Sequence, residues 1–373
     1  MIVEEFGAIM AELCSHSPLA AKRSLYWTII ANPTAGGFTM RRRWKKHYAQ
    51  LLACRSKAAA NPVHPGAGPS KTSLAENSHG LMLTRERGHA GRITQSLMEE
   101  AKSSQGKTSG AKSGGALPLY LIITAGGDGT SLEVLDALYH ASDEIRSCFA
   151  VLRLPMGTGN DGADAWELED ALTRIIEPAE LIFQRALRLT TSTPGKGPFL
   201  AFNILSVGLD AFVTHMTNKM KGKLPGDFYK LWVDIASLLY DRLYKVGPMN
   251  VRALDESGKE IKNFREKVLL LAVGESGHRT YGSHKLILPD DRNVCMVKQM
   301  PLFRKIALKG LFSTGAHVTK PESMLFNAGR VEFTGENPIL AQMDGETVLL
   351  QINDFPAAIE LTKPVIPILW PLR

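Results

Sequence analysis

The chain has little of what would commit it to a disulfide scaffold, a metal module or a membrane span. Its four cysteines, Cys14, Cys54, Cys148 and Cys295, form no CxxC pair and have no histidine pattern beside them. That spacing points away from a zinc site and from a disulfide framework, and it suits a reducing cytoplasm. No apolar run approaches the roughly 20 residues a membrane-crossing helix needs. The first residues carry Glu4, Glu5 and Glu12 where a secretory leader needs a basic start and an apolar core, so no leader is expected and the protein reads as soluble. Aromatic residues make up only 7% of the 373, but 44% are hydrophobic and 22% charged, the balance of an ordinary globular protein long enough for two cores.

Acidic charge is also in deficit, with a formal net charge of +7. The excess is local, in Arg41, Arg42, Arg43, Lys45, Lys46 and His47 and again in Lys219, Lys221 and Lys223. Such patches suit phosphates, anionic lipid surfaces or nucleic acid, although a solvated helix face is the commoner use of any single run.

The stretch around which the rest is organised is Leu119 to His140. Leu119–Thr124 is apolar and β-branched and reads as a buried strand; Ala125 to Gly129 is a glycine turn; Leu132, Leu135, Leu138 and Tyr139 then fall on one helical face. Glycines let backbone approach a ligand closely, and a helix start offers unpaired N–H groups to an anion. Thr130 followed by Glu133 has the form of a capping box. Asp128 inside a phosphate-shaped turn suits a metal ion, a ribose hydroxyl or a proton in transfer, with a solvated turn aspartate as the plain alternative.

Two further units share this form. Leu25–Ile30 reads as a strand, followed by Ala31 to Gly37 and a basic helix over Thr39–Leu52. Ala150–Leu154 reads as a strand followed by the Pro155–Asp161 loop. Gly157, Gly159 and Gly162 satisfy GxGxxG, but Pro155 and the polar pair Asn160-Asp161 argue against a dinucleotide turn. Gly106-Lys-Thr108 mimics the end of a P-loop, yet Ala101 stands where its first glycine is required. Repeated strand, glycine turn and helix predict an α/β domain with a parallel sheet and a ligand at the carboxyl ends of its strands.

Residues 1–23 have weak helical character, as an extension or an added helix. Residues 55–80 and 101–117, rich in small and polar residues, read as flexible insertions. Beyond about residue 180 the texture becomes strand-like, at Leu187–Thr191, Phe199–Leu205, Met249–Leu254, Lys267–Val273, His284–Leu288, Arg330–Phe333, Ile339–Met343 and Thr347–Ile352. One helix is expected over Pro225–Tyr244. Domains are therefore expected over 24–165 (α/β) and 166–357 (mainly β, sandwich-like), with 358–373 returning to the first.

Taken in order, Asn32-Pro33 with Gly36-Gly37, Gly126 to Thr130, and Pro155 with Gly157 to Asp161 resemble the diacylglycerol kinase catalytic-domain family, which includes bacterial soluble lipid kinases, sphingosine kinases and ceramide kinases. Thr84 with His89-Ala90, Asn203 with Gly208 to Ala211, the Lys221–Tyr229 block and Asp344-Gly345-Glu346 add to the resemblance. Gly-Gly-Asp-Gly alone is shared with NAD kinases and phosphofructokinases. The resemblance implies an N-terminal domain of that NAD kinase or phosphofructokinase type, a C-terminal β-rich domain, and ATP in the cleft between them.

It further implies phosphoryl transfer from Mg-ATP to a lipid hydroxyl. The nucleotide would meet Asn32, Pro33, Thr34, Gly36, Thr84, Gly126, Gly127, Asp128, Gly129, Thr130, Glu133, Thr158, Gly159 and Asn160. Glu346 matches the proton acceptor of bacterial members, Asp128 that of sphingosine kinases, and Asp344 begins the Asp-Gly-Glu. Implied partners are a lipid at a membrane surface, touched peripherally from the cytoplasm, and no nucleic acid; a homodimer stays open. Two departures stand out. Leu132 replaces a usual asparagine, and Pro289-Asp-Asp-Arg-Asn-Val-Cys295-Met296 lacks the Asp-Gly that ends the structural Mg²⁺ segment of bacterial members, so that metal is expected to be absent or rebuilt. An NAD-kinase-like soluble nucleotide kinase and a non-catalytic nucleotide-binding relative remain alternatives. Asp344-Gly345 is also, in plain terms, a hairpin-turn pair.

Overall fold

Short β-branched apolar runs alternate with amphipathic helices in the first half of the chain, and in the computed structural model they assemble as that pattern requires. The structure describes residues 2–21, 24–60, 80–108, 118–220, 240–281 and 285–372. These fall into two units, 1–184 with 364–373, and 185–363.

The first unit is built on strands β1 (Leu25–Ala31), β2 (Leu81–Leu83), β3 (Leu119–Gly126), β4 (Phe149–Pro155) and β5 (Ala179–Gln184), with a returning strand Ile366–Pro371. The order is β2-β1-β3-β4-returning strand-β5. β2, β1, β3 and β4 are mutually parallel, while the returning strand runs parallel to β4 and antiparallel to β5. Every residue of β3 and β4 is buried, as a central parallel strand covered on both faces must be.

The helices of this unit are α1 (Ile2–Ser15), α2 (Gly36–Thr39), α3 (Arg41–Ala60), α4 (His89–Thr108), α5 (Asp128–Tyr139), α6 (Asp143–Arg146) and α7 (Leu168–Ile176). The opening residues form an added helix: α1 buries Phe6, Met10 and Leu13 in one core with Leu51 and Cys54 of α3 and Leu168 and Leu172 of α7. Each such side chain is worth roughly 1.5–3 kcal/mol of burial. The expected basic helix is divided at Met40 into α2 and α3.

Two expectations are corrected here. Residues 55–60 and 101–108 are not loop but the last turns of α3 and α4, because Ala58 and Ala101 are buried on their inner faces. The remainder of the expected insertions, 61–79 and 109–117, lies outside the described residues. The first unit also does not stop near 165. α7 packs Leu168, Leu172 and Ile175 into its core, and β5 pairs with the returning strand over Ala179–Gln184, so the unit runs to Gln184 and resumes at Pro364.

The second unit is antiparallel. It comprises β6 (Leu187–Thr190), β7 (Phe199–Ala201), β8 (Ile204–Gly208), β9 (Pro248–Leu254), β10 (Glu260–Gly274), β11 (Arg279–Tyr281), β12 (Lys285–Leu288), β13 (Val294–Lys298), β14 (Ser323–Phe326), β15 (Arg330–Gly335), β16 (Ile339–Met343), β17 (Glu346–Leu350) and β18 (Ala357–Leu361). Its main path is β17-β16-β8-β10-β9-β15-β18-β6-β7, with β13 on β10 and β14 on β13. The 15-residue β10 joins the two halves: its exposed first part pairs with β9, and its buried second part with β8 and β13. One core gathers Leu187, Val251, Leu271, Val331 and Phe333. Another gathers Phe212, Leu270, Cys295 and Leu308, from helices α8 (Leu209–Met220) and Leu302–Leu311 against the sheet.

The Lys221–Tyr229 block, Lys221, Lys223, His284 and most of the helix expected over Pro225–Tyr244 lie outside the described residues; Tyr240–Leu243 is helical. Among the described residues no helix is long and apolar enough to cross a membrane.

Candidate functional site

In the first unit three turns meet at the carboxyl ends of β1, β3 and β4, where side chains would keep them apart. The turn after β1 is closed by Asn32, whose Oδ1 accepts hydrogen bonds from Thr34 N (3.0 Å) and Thr34 Oγ1 (2.8 Å). Pro33 lies within it. Gly37 then donates its N–H to Met156 O at 2.8 Å, and a Cβ there would lie 2.8 Å from that oxygen. A Cβ on Gly36 would stand 3.2 Å from Thr158 Oγ1. Beside them Thr84, at the end of β2, donates its N–H to Ala31 O at 2.8 Å.

The turn after β3 is closer still. A Cβ on Gly157 would sit 2.5 Å from Gly127 Cα, and one on Gly126 would strike Thr130 Oγ1 at 2.4 Å. Gly129 has open space around it. Gly127 is the N-cap of α5 and makes no side-chain cap, so the first turn of that helix keeps N–H groups for an anion. Asp128 Oδ1 accepts a hydrogen bond from Gly162 N at 2.9 Å, which ties the third turn to the second. Desolvation among these loops raises the Asp128 pKa above the ordinary carboxylate value, against the bonds from Gly162 and Asp161 and the charge of Arg153.

Asn160 has a left-handed backbone, φ 62°, and donates its Nδ2 to Pro155 O at 3.0 Å. Its Oδ1 is buried with no partner among the described residues. A Cβ on Gly159 would lie 3.3 Å from both Asp128 Oδ2 and Asp161 Oδ2, and Thr158 is exposed at the rim.

The capping box expected at Thr130 and Glu133 is not formed. α5 begins two residues earlier, at Asp128, and the Glu133 carboxylate reaches another helix: it accepts from Gly88 N (2.6 Å) and Ala90 N (3.0 Å) at the start of α4. Buried Thr130 instead fills the space over Gly126.

Four residues of this site carried no motif. Arg43 donates to Gly157 O (2.7 Å) and Thr158 O (3.3 Å), so one cation of the basic run braces the third turn. Arg153 and Asp164, both buried, pair at 2.7 Å beneath it, and Arg174 stacks on Trp370 with its guanidinium 4.6 Å from the ring centre. A lone arginine inside the apolar run Ala150–Leu154 was the available signal.

In the second unit Asp344-Gly345 is the turn between β16 and β17, with φ of 45° and 99°. Both Asp344 oxygens are engaged by backbone: Ile204 N at 2.9 Å and Asn203 N at 3.1 Å on Oδ1, Phe202 N on Oδ2. Gly345 N donates to Gln342 Oε1 at 3.1 Å, and Gln342 Nε2 donates to Ser206 Oγ and Asp210 Oδ2, each at 3.1 Å. Asp210 is buried, with its Oδ1 unpartnered among the described residues, and burial pushes its pKa up to about 6. Glu346 opens β17, partly exposed, beside this braced turn.

Among the described residues no cluster of three or more His, Cys, Asp or Glu could hold a metal ion. The segment Pro289–Met296 does not fit a structural Mg²⁺. Arg292 donates from Nε (2.9 Å) and Nη2 (2.5 Å) to the two Asp290 oxygens, which holds that carboxyl well down, at about 2, while Asp291 lies 3.0 Å from His278 Nε2.

Parallel strands ending in glycine turns, with an open helix start and an aspartate among them, define an α/β domain whose strand ends suit an anion such as phosphate. Residues 26–191 match the family described as the diacylglycerol kinase catalytic domain. A protein of Xanthomonas euvesicatoria pv. vesicatoria (strain 85-10) named "Probable lipid kinase YegS-like" is 29% identical over 180 residues, 46% of this chain and 52% of that one. The chain thus spans about half of that relative's length. A protein of the same name from Xanthomonas axonopodis pv. citri (strain 306) is 28% identical over 244 residues, 61% of this chain and 72% of its own. A crystal structure from Bacillus anthracis str. Sterne, described as that of a candidate diacylglycerol kinase, shares the fold. Its TM-score is 0.54 at 16% identity, covering 94% of this chain and 97% of that one.

Proposed function

We propose that the chain is a lipid kinase that transfers the γ-phosphate of Mg-ATP to the hydroxyl of a diacylglycerol, sphingoid or ceramide-type lipid, working from the cytoplasm at a membrane surface. The observation that carries the reading is the contact of Gly127 with Gly157 at the strand ends, a cradle a single methyl group would fill. ATP fits there. Backbone N–H groups at the start of α5 suit its phosphates, the unpartnered Asn160 Oδ1 offers an acceptor, and the Asn32 turn lines one side. Bound Mg-ATP supplies the phosphoryl group and the cation that spreads its charge.

The chain's own work is to hold that group in line with the acceptor and to take the acceptor's proton. In this reading Asp128, fixed by Gly162, would hold magnesium, and it and Glu346 are the two candidates for the base.

The test is phosphotransfer from γ-labelled ATP to diacylglycerol, sphingosine and ceramide in mixed micelles, with NAD as a soluble acceptor beside them. Labelled lipid in the wild type, reduced about a hundredfold or more in Asp128→Asn and Glu346→Gln, is expected. Bound ATP with no lipid labelled would reject the reading, and labelled NAD alone would move it to a soluble nucleotide kinase.

A further inference from the structure

The hairpin that carries Glu346 is tied to one helix on both sides of that residue. Asn218 of α8 donates its Nδ2 to Gly345 O at 2.8 Å, and His215 Nδ1 lies 3.3 Å from Thr347 Oγ1. Three residues apart, the two side chains share a face of α8 and hold the chain immediately before and after Glu346. A third tie comes from the start of the helix, where Asp210 Oδ2 accepts from Gln342 Nε2 at 3.1 Å and Gln342 Oε1 accepts from Gly345 N at 3.1 Å. Gly345 is thus held by both its N–H and its C=O.

α8 can act as a splint because it is itself fixed. Ala211 and Phe212 are buried with Leu270 and Leu340 in one core, and Asp210, 1% exposed, also accepts from Ser206 Oγ. The pleat separates this work from the carboxylate. Across the hairpin Gln342 pairs with Thr347, and Met343 with Glu346. Leu340 and Gln342 face α8, while Ala341 and Met343 belong to the other core. Cross-strand partners share a face, so the Glu346 side chain leaves the strand on the side away from α8. The helix therefore holds the backbone from which that carboxylate departs. A hairpin tip is otherwise where a sheet is loosest, and a group misplaced by about 1 Å can lose about a hundredfold in rate.

We propose that Asn218, His215 and Gln342 are positioning residues for Glu346: through them α8 holds the Asp344-Gly345 turn so that the carboxylate meets the acceptor hydroxyl. The part in phosphoryl transfer rests on the lipid-kinase reading.

The test uses the full chain with Asn218, which is exposed, changed to alanine or glutamine, and reads kcat and KM with the lipid that the wild type labels. Asn218→Ala is expected to lower kcat about tenfold, with KM for ATP and lipid within about twofold and the melting profile kept. Asn218→Gln, which keeps a donor, is expected to recover most of that loss. Asn218→Ala combined with His215→Ala is expected to lose more than either alone. Hydrogen exchange at the Gly345 N–H is expected to quicken about tenfold in Asn218→Ala. Unchanged kcat in the double variant, a loss that falls on KM instead, or unchanged Gly345 exchange overturns the proposal. Exchange is read without any acceptor. A wild type that labels no lipid would reject the kinase, and faster Gly345 exchange in Asn218→Ala would leave the splint standing.

Discussion

Glu133 on α5 caps α4 instead of its own helix, taking Gly88 N at 2.6 Å and Ala90 N at 3.0 Å. A carboxylate at a helix start is favoured by both the orphan N–H groups and the macrodipole. Glu133→Ala is therefore expected to cost about 1–2 kcal/mol in urea unfolding, and to speed hydrogen exchange at Gly88 and Ala90 first. Glu133→Gln, which keeps one acceptor, should lose less.

Gly157→Ala tests the cradle. Its Cβ would lie 2.5 Å from Gly127 Cα and 2.9 Å from Asn160 Oδ1, and the first obstacle is backbone that cannot turn aside. The loops must part, so ATP affinity measured by calorimetry is expected to fall by about tenfold or more, while Gly129→Ala, with open space around it, should bind nearly as the wild type does.

Asp344 and Glu346 are two residues apart and should fail differently. Asp344→Ala strips partners from the N–H groups of Phe202, Asn203 and Ile204 and leaves alanine at a left-handed φ. A loss of about 3 kcal/mol or more is expected in chemical unfolding of the second unit. Glu346→Gln should change stability by less than about 0.5 kcal/mol. Its expected loss is in phosphotransfer.

Asp210 gives a pH signature. Burial raises its folded pKa to about 6 from 3.8, ahead of the Ser206 and Gln342 bonds and the Lys285 charge that pull it down. A raised carboxyl binds its proton more tightly when folded, so its contribution is complete below about pH 4 and is lost as pH rises through about 6. Unfolding free energies of the wild type from urea titration should fall across that window by a few kcal/mol at most relative to Asp210→Asn, which has nothing to titrate there.

The glycine turns were legible in the sequence because their constraint is local: Gly126, Gly127 and Gly157 stand next to the strands they terminate. The antiparallel half was legible as texture, though β11, β13, β14 and β18 were not; in the first unit β5 was missed, and 358–373 was expected to return there without being read as a strand. Val294–Lys298 carries Cys295 and Met296 in a short run without alternation, and Ala179–Gln184 is half exposed. What escaped altogether were side chains whose partners are far along the chain. Glu133 reads as a local cap until Gly88, 45 residues away, is brought to it. Asp344 reads as a turn residue until Asn203, 141 residues earlier, arrives beside it. The buried pair Arg153–Asp164 and the Asp210–Gln342 link depend on burial, which no spacing announces.

The returning strand gives the molecule a timetable. Ile366–Pro371 lies between β4 and β5 in the sheet order, so the edge that β5 joins cannot form until the ribosome has passed residue 371. The second unit, residues 185–363, has been synthesised by then. The strand that lends β4 its outer neighbour is therefore laid only after the whole second unit. A nascent chain or a clipped one would have every motif of the site and lack one strand of the sheet that holds them level.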